Sequence, residues 1–250
     1  MPVDHSGLAR RLAWQWRFAI EVVVIAAALL AYFGVRGLTE GSEATAFRNA
    51  DRVLDIERAL RIDWEVWLQK RIVDTHALVT LSNWVYIYMH WPFIAVAAVW
   101  LFFRRPGTYY LMRNAFLVSG ALGLVIFVTF PVAPPRLTDM DVIDTVTKYS
   151  RSYRVLQPSG FVNQYAAMPS LHFGWNLLLG IALAWQGPWR VVRAVGWVVP
   201  ALMALAVVLT ANHFVLDVVA GGTLALFGLL VAWCARPWIE RRGRLASILS

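Results

Sequence analysis

Long apolar stretches separated by short polar and charged segments dominate the chain from residue 18 onward. A helix needs about 20 mostly apolar residues to cross the hydrocarbon core of a membrane. Pro92 lies inside the second stretch and predicts a kink there, because proline cannot donate a backbone hydrogen bond. The pattern predicts an all-α fold, a bundle of six transmembrane helices. The predicted spans are 18–36, 80–103, 113–130, 171–186, 193–210 and 214–234.

The segment between the first two spans, 37–79, has a helical pattern of its own. Its apolar residues recur at intervals of three or four, which is typical of an amphipathic helix, and Asp63 is a candidate N-cap for a second, shorter helix. Such helices often lie in the membrane interface. We expect an outer interfacial helical segment that is either a lid on the bundle or an entry for lipid. Its apolar residues are Phe47, Ala50, Val53, Leu54, Ile56 and Leu60, then Trp64, Trp67 and Leu68.

The composition favours membrane insertion over a soluble fold. Hydrophobic residues make up 59% of the chain and charged residues 15%, with a mean hydropathy of +0.57. A soluble domain carries about 25% charged residues. The apolar surplus therefore needs lipid to cover it.

The distribution of positive charge predicts the orientation of the bundle. The net charge of +8 could indicate nucleic acid, but the basic residues flank apolar spans, so we expect no such partner. With six spans, one side carries twelve arginines against Asp4 and Glu240. The positive-inside rule places that side, with both termini, in the cytoplasm of a multi-pass cell-membrane protein. The twelve are Arg10, Arg11, Arg17, Arg104, Arg105, Arg113, Arg190, Arg193, Arg236, Arg241, Arg242 and Arg244.

The third span leads into a proline-rich segment, 131–136, which ends at Arg136. Prolines cannot continue a helix and favour extended backbone, so the segment restricts the position of this arginine at the outer end of the bundle. Arg136 is therefore either a candidate anion ligand or a solvated arginine after a simple helix stop.

The fourth span opens with Pro169, Ser170, Leu171 and His172. A proline and a serine at a helix start leave backbone N–H groups pointing outward, and the helix dipole reinforces this anion-binding geometry. Ser170 and His172 are candidates for the site of a bound phosphate. The alternative for His172 is a capping or interfacial histidine.

His213 and Asp217 stand four residues apart at the start of the sixth span. They share a helix face, with their Cβ atoms about 5–6 Å apart. A carboxylate inside an apolar span is costly and normally has a partner. Asp217 would fix the tautomer of the imidazole and leave the other ring nitrogen free to attack. The alternative is a structural ion pair.

In the six-span topology, Arg136, His172 and His213 all lie at outer helix ends. A cation, two histidines and a carboxylate at one depth predict phosphoryl transfer. One histidine attacks phosphorus, the other protonates the leaving oxygen, and the cation balances the oxyanions.

Two other features favour structural interpretations. Asp139, Asp141 and Asp144 lack the glycine and the distal glutamate of a calcium loop, so we expect no metal there. His90 lies inside the second span, where a helix–helix hydrogen bond is favoured over a role in catalysis.

The three segments resemble the signature blocks of a known family. Residues 168–172 and 212–217 are similar to the second and third blocks of the type 2 phosphatidic acid phosphatase superfamily. Residues 131–136 are similar to the first block of its inositol phosphorylceramide synthase-like branch, which contains inositolphosphotransferases. The likeness covers residues 44–235, which implies one membrane-embedded domain, 1–250, with that core.

The resemblance implies a role for each residue. His213 is the nucleophile that forms a phosphohistidine, Asp217 orients it, and His172 is the general acid. Arg136 binds phosphate oxygens, and the superfamily works without a metal or other cofactor.

Departures from the phosphatase pattern favour the synthase-like branch. Thr129 and Val207 stand where phosphatases carry a lysine and an arginine, and Leu171 replaces the glycine before the histidine. Two phosphate-binding cations are therefore missing. Basic residues of the outer loop could replace that charge; the candidates are Lys148, Arg151 and Arg154.

The favoured function is a lipid phosphotransferase, which passes a phosphoryl-containing head group from a membrane lipid to an alcohol such as inositol. The first alternative is a phosphatase that hydrolyses a lipid phosphate or a polyprenyl phosphate. Both share the first half-reaction, so their catalytic residues do not separate them. The second alternative is a non-catalytic lipid-binding protein, against which the complete set of His172, His213 and Asp217 argues.

Overall fold

The computed structural model describes residues 5–38, 42–150 and 163–248, with side chains for 14–35, 42–150 and 163–237. Within these ranges the regular structure is helical, which confirms the all-α prediction. The helices are α1 (His5–Leu38), α2 (Glu43–Leu60), α3 (Glu65–Lys70), α4 (His76–Tyr88), α5 (Trp91–Arg104), α6 (Pro106–Thr129), α7 (Thr145–Tyr149), α8 (Leu171–Gln186), α9 (Arg190–Leu209) and α10 (Val215–Ile248).

Four of the described helices are long and apolar enough to cross a membrane. The helices α4 and α5 pass the same test as a pair, bent by 46° at the break between them, and would form a fifth span. The predicted kink near Pro92 is confirmed. Pro92 lies in the first turn of α5, where its missing N–H removes no helical hydrogen bond. The four long apolar stretches are Trp14–Val35, Pro106–Thr129, Arg190–Leu209 and Val215–Pro237.

The helix α8 has the predicted bounds of the fourth span, but it contains only 16 residues. At 1.5 Å per residue it is about 24 Å long, shorter than a hydrocarbon core of about 30 Å. It is also largely buried, because α5, α6, α9 and α10 pack around it. The helix whose first turn carries His172 therefore lies at the centre of the bundle.

Glycines allow α8 to approach its neighbours at backbone distance. A Cβ at Gly221 of α10 would overlap the backbone of Ser170, and one at Gly174 would meet the carbonyl oxygen of Gly221. On the other side, Gly180 of α8 and Gly196 of α9 face each other in the same way. Small residues at helix contacts are typical of membrane proteins, since dispersion contacts replace the hydrophobic effect there.

The first loop forms two helices, as its spacing predicts, but their details differ. The helix α2 buries Ala46, Ala50 and Val53, which pack with Val132 and other residues near the site. The predicted cap at Asp63 is wrong: α3 begins after Trp64, and no side chain caps its N-terminus. Instead Glu65, the first residue of α3, is fully buried and accepts the N–H of Val215.

A buried ion pair links α1 to α6. Glu21 of α1 accepts hydrogen bonds from Arg113 and from the hydroxyl of Tyr109. A carboxylate within an apolar helix is expensive unless it is paired. This cluster fixes the register between the first helix and the rest of the bundle.

Candidate active site

The proline-rich segment 131–136 is held from both sides. Val132 donates its N–H to Tyr165 at 2.7 Å, and Ala167 donates to Val132 at 3.2 Å, which forms an isolated parallel bridge. Asn49 of α2 donates to the carbonyl of Pro131 at 2.9 Å. The segment that carries Arg136 is thereby tied to the segment that leads into α8.

Arg136 lies in a 3-10 turn, Pro135–Leu137, against the turn between α9 and α10. Its N–H donates to the carbonyl of Ala211 at 2.9 Å. Ala211 has φ of 55°, a left-handed conformation that costs an L-residue about 1–2 kcal/mol. The guanidinium donates through Nη1 to Asn212 Oδ1 at 2.7 Å, and its Nε lies 3.4 Å from Asp144. The planar fork is therefore oriented before any anion arrives.

The tautomer of His213 follows from its hydrogen bonds. The Nδ1 atom lies 2.7 Å from the carbonyl oxygen of Ala167 and 3.4 Å from Oδ2 of Asp217. A carbonyl oxygen only accepts, so Nδ1 carries a proton, and in the neutral ring Nε2 holds the lone pair. The shorter bond goes to the backbone. The carboxylate of Asp217 lies within reach of the same nitrogen, and its role in fixing the tautomer stays a prediction.

Asp217 also caps its own helix. It is fully buried, and its Oδ2 accepts the N–H of Phe214 at 2.9 Å. A side chain in the first turn that reaches back to the N-cap N–H is half of a capping box. In this geometry Asp217 both lies next to the ring of His213 and caps its own helix.

His172 is packed between aromatic rings in the first turn of α8. Its ring stacks on Tyr86 at 4.9 Å between centroids, and the ring of His90 lies 4.4 Å away. Asn176 donates to Nδ1 of His90 at 2.8 Å and to the carbonyl oxygen of His172 at 2.7 Å. The predicted helix–helix hydrogen bond of His90 is confirmed. The same bond places His90 beside a candidate catalytic residue.

Three of the predicted residues meet around one small cavity of about 40 Å³. Arg136, His172 and His213 all line it, and the two imidazole centroids are 6.0 Å apart. Asp217 lies behind His213 and is not part of the lining. The cavity therefore brings two imidazoles and a guanidinium together, a set of groups that suits a phosphate.

Ser170 does not line this cavity. It is the N-cap residue of α8 and fully buried, and its Oγ has no hydrogen-bond partner among the described residues. Its N–H donates to the carbonyl oxygen of Asp217 at 3.0 Å. Its assignment as a phosphate ligand stays a prediction, and its observed contact is with the backbone of α10.

A second, apolar cavity of about 530 Å³ lies between α1, α5, α6 and α8. Tyr32 lines both cavities, so the polar site and the apolar space adjoin at this residue. Trp91 and Trp175 form part of the apolar wall. This arrangement can accept a molecule with a polar head and apolar chains.

Two glutamates that lie near the site were not predicted from the sequence. Glu65 accepts the N–H of Val215 at 2.7 Å, and Glu57 accepts the N–H of Leu216 at 2.6 Å. Burial raises the pKa of Glu57 from its usual 4.5 to about 9, and the charges of Glu65 and Asp217 add to this rise. Burial also raises the pKa of Glu65. The available signal was Glu57 itself, an acid at helical spacing on the buried face of α2.

Among the described residues, no lysine and no arginine other than Arg136 lines the cavity. Thr129 bonds to its own helix, and the carbonyl of Val207 accepts the N–H groups of Asn212 and His213. Lys148 lies over the ring of Tyr149. The other candidate cations, Arg151 and Arg154, lie outside the described residues. The residues that the structure describes contain no cluster of three metal-ligating side chains.

Comparisons with known proteins agree with the motifs. Residues 51–231, more than half of the chain, match the family described as the PAP2 superfamily. The chain is similar to the inositol phosphorylceramide synthase catalytic subunit aur1 of Schizosaccharomyces pombe, with 27% identity over 63% of this chain and 41% of that protein. It thus spans less than half of that relative's length. No solved structure matches the chain. The resemblance drawn from the three signature blocks is confirmed.

Proposed function

The chain belongs to the PAP2 superfamily, and we propose that it is a membrane lipid phosphotransferase that moves a phosphoryl-containing head group from a lipid to an alcohol. The observation that carries this proposal is the pair of imidazoles at the polar cavity, 6.0 Å apart between centroids, with Nδ1 of His213 held by the carbonyl oxygen of Ala167. The adjoining apolar cavity supports a lipid donor, because its walls suit acyl chains.

The first half-reaction forms a phosphohistidine. Nε2 of His213 attacks phosphorus, the bond from phosphorus to the lipid oxygen breaks, and His172 gives its proton to that oxygen. Arg136 balances the charge on the phosphate oxygens in the crowded intermediate. The imidazolium that develops on His213 keeps its Nδ1 proton on Ala167, and the buried carboxylate of Asp217 stabilises its charge.

The second half-reaction reverses these roles. A hydroxyl group attacks the phosphohistidine, His172 takes its proton, and His213 leaves with its lone pair restored. An alcohol as acceptor makes the protein a transferase, whereas water makes it a phosphatase. The named relative, a synthase, favours the alcohol, and inositol or a lipid hydroxyl fits this class. No step requires a metal or another cofactor, so chelators should leave the rate unchanged.

The acceptor can be tested with purified protein in vesicles. A panel of radiolabelled phospholipids, lipid phosphates and polyprenyl phosphates is incubated with and without candidate alcohols. A new phosphate ester that forms only with the alcohol supports the transferase. This ester is a phospholipid when the alcohol is a lipid and a water-soluble ester when the alcohol is inositol. Free phosphate regardless of alcohol identifies a phosphatase, and binding without turnover identifies a non-catalytic lipid-binding protein. The His213→Ala protein supplies the background.

We propose six spans in one domain, 1–250, with both termini cytoplasmic and the polar cavity on the extracytoplasmic face. In a Cys234→Ser background, Asp74→Cys should react with an impermeant maleimide added to intact cells, because this exposed position precedes the second span. Arg105→Cys, between α5 and α6, should react only after the cells are opened. External labelling at position 105 would reverse the orientation.

Arg136→Ala should lower turnover by about 10²–10³-fold, the scale for losing one preorganised oxyanion partner. Arg136 is the cation that lines the described cavity, and its fork is held by Asn212 and Asp144. Arg136→Lys should restore only part of the rate, because lysine lacks the planar fork. Steady-state kinetics on vesicles would measure both.

The matched control for this prediction is Arg48→Ala, which removes an exposed arginine of α2 bonded to Thr45. Its rate should equal that of the unaltered protein. Full activity in Arg136→Ala would remove this residue from the site.

A further inference from the structure

The first turn of α10 is capped by carboxyl groups from three different helices. Asp217 of α10 accepts the N–H of the N-cap residue, Phe214. Glu65 of α3 accepts the N–H of Val215 and Glu57 of α2 that of Leu216, the first two residues of α10. The two glutamates lie 150 and 159 positions before their partners in the chain. These bonds tie two helices of the first loop to the turn that carries His213.

The carboxyl groups of Glu57 and Glu65 come together at the turn, because they accept the N–H groups of two adjacent residues, Val215 and Leu216. Their second oxygens, both Oε2, are buried and have no donor among the described residues. Two ionised carboxylates contain only acceptors, so a hydrogen bond between them requires a proton on one. Each carboxyl group also affects the pKa of the other, which fits a hydrogen bond between the two side chains. Two carboxyl groups in one buried site share a proton because both cannot ionise at neutral pH.

We propose that Glu57 and Glu65 are positioning residues: a carboxyl pair that shares one proton and holds the first turn of α10, so that His213 stays aligned on phosphorus. This inference rests on the proposed function of His213 as the nucleophile. Neither glutamate lines the polar cavity, so both act through the backbone of α10 and do not touch the phosphate.

The shared proton makes the site sensitive to alkaline pH. Two other carboxyl groups face Glu57: Glu65 from α3 and Asp217 from α10. His213 lies next to Asp217. Burial raises the pKa of Glu57 to about 9, so the pair holds its proton at pH 7 and loses it near pH 9. Three carboxylates would then face one another. Their repulsion would push α2 and α3 away from the turn, and kcat would fall.

Two substitutions at Glu57 separate positioning from simple packing. Glu57→Leu removes both the acceptor for Leu216 and the proton, and kcat should fall by about 10²-fold, the scale for misplacing a reacting group by about 1 Å. KM should change little. Glu57→Gln keeps an acceptor and supplies a permanent donor to Glu65. It should recover most of the lost kcat and remove the alkaline fall near pH 9.

A matched control is Asp55→Asn, which removes an exposed acid of the same helix paired with Arg58. It should keep the alkaline fall. If Glu57→Gln keeps that fall as well, the shared proton is wrong. If Glu57→Leu folds and turns over at the normal rate, the positioning role is wrong.

The thermal stability of the protein tests the proton without any substrate. The pKa of Glu57 is raised in the folded state, so the folded protein binds more protons than the unfolded chain between pH 4.5 and about 9. The contribution of this proton to the free energy of unfolding is complete below pH 4.5 and is lost as the pH rises through about 9. Glu57→Gln should flatten this fall in Tm, whereas Asp55→Asn should not. If the protein turns over no lipid but the two variants still differ in how Tm falls with pH, the proposed function is wrong and the carboxyl pair stands.

Discussion

Replacing His213 with alanine should abolish the covalent phosphoenzyme. The Nδ1 proton of this residue is committed to the carbonyl of Ala167, so Nε2 is the nitrogen with a lone pair at the cavity. The alanine variant has no atom that can replace it. Rapid-quench experiments with a lipid labelled in its phosphate should trap acid-labile label on the unaltered protein and none on His213→Ala.

The control for this experiment is His76→Ala, because His76 is an exposed histidine at the start of α4. It should trap label at the normal level. Label that maps to His172 would exchange the proposed roles of the two histidines. Turnover by His213→Ala at the normal rate would rule out the phosphohistidine mechanism.

Replacing His172 with alanine should lower the rate by about 10²–10⁴-fold for a lipid whose leaving alkoxide needs a proton. Its ring lines the same cavity as that of His213, with 6.0 Å between the two centroids, and we propose that it protonates the leaving oxygen. The defect should shrink strongly for a nitrophenyl phosphodiester, because nitrophenolate leaves without a proton. The ratio of the two rates, measured by single-turnover kinetics, reports the acid role directly.

His213→Ala serves as the matched control for this comparison, since loss of the nucleophile should stop both substrates equally. A His172→Ala protein that is equally slow on both substrates would contradict the general-acid role. Such a result would instead assign His172 to binding or to the packing of Tyr86 and His90.

The hydrophobic pattern predicts the described helices well because lipid imposes one strong requirement on each span. The bounds of α8 match 171–186, and Pro92 correctly marks the break between α4 and α5. The pattern does not show which apolar helices face lipid and which are buried among other helices. The buried helix α8, with 16 residues, therefore satisfies the same pattern as the longer helices.

The candidate site was predictable where motifs are local in sequence. Residues Arg136, His172 and His213 were each derived from a short segment, and the structure brings them to one cavity. The carbonyl of Ala167 as the partner of His213 was not predictable, because every residue has a carbonyl and only folding selects one. The same holds for Glu57, whose partner lies 159 positions away.

The close backbone contacts of α8 have a consequence for the lipid environment. Helices usually answer a change in bilayer thickness by tilting or sliding against their neighbours. Here Gly174 and Gly221 interlock at backbone distance next to the histidine-bearing turns, and Gly180 and Gly196 do so further along α8. Because of these contacts, a change in tilt should move α8, α9 and α10 together as one rigid unit. The spacing of the two imidazoles should therefore be the same in thin and thick membranes, while the depth of the cavity relative to the lipid head groups changes.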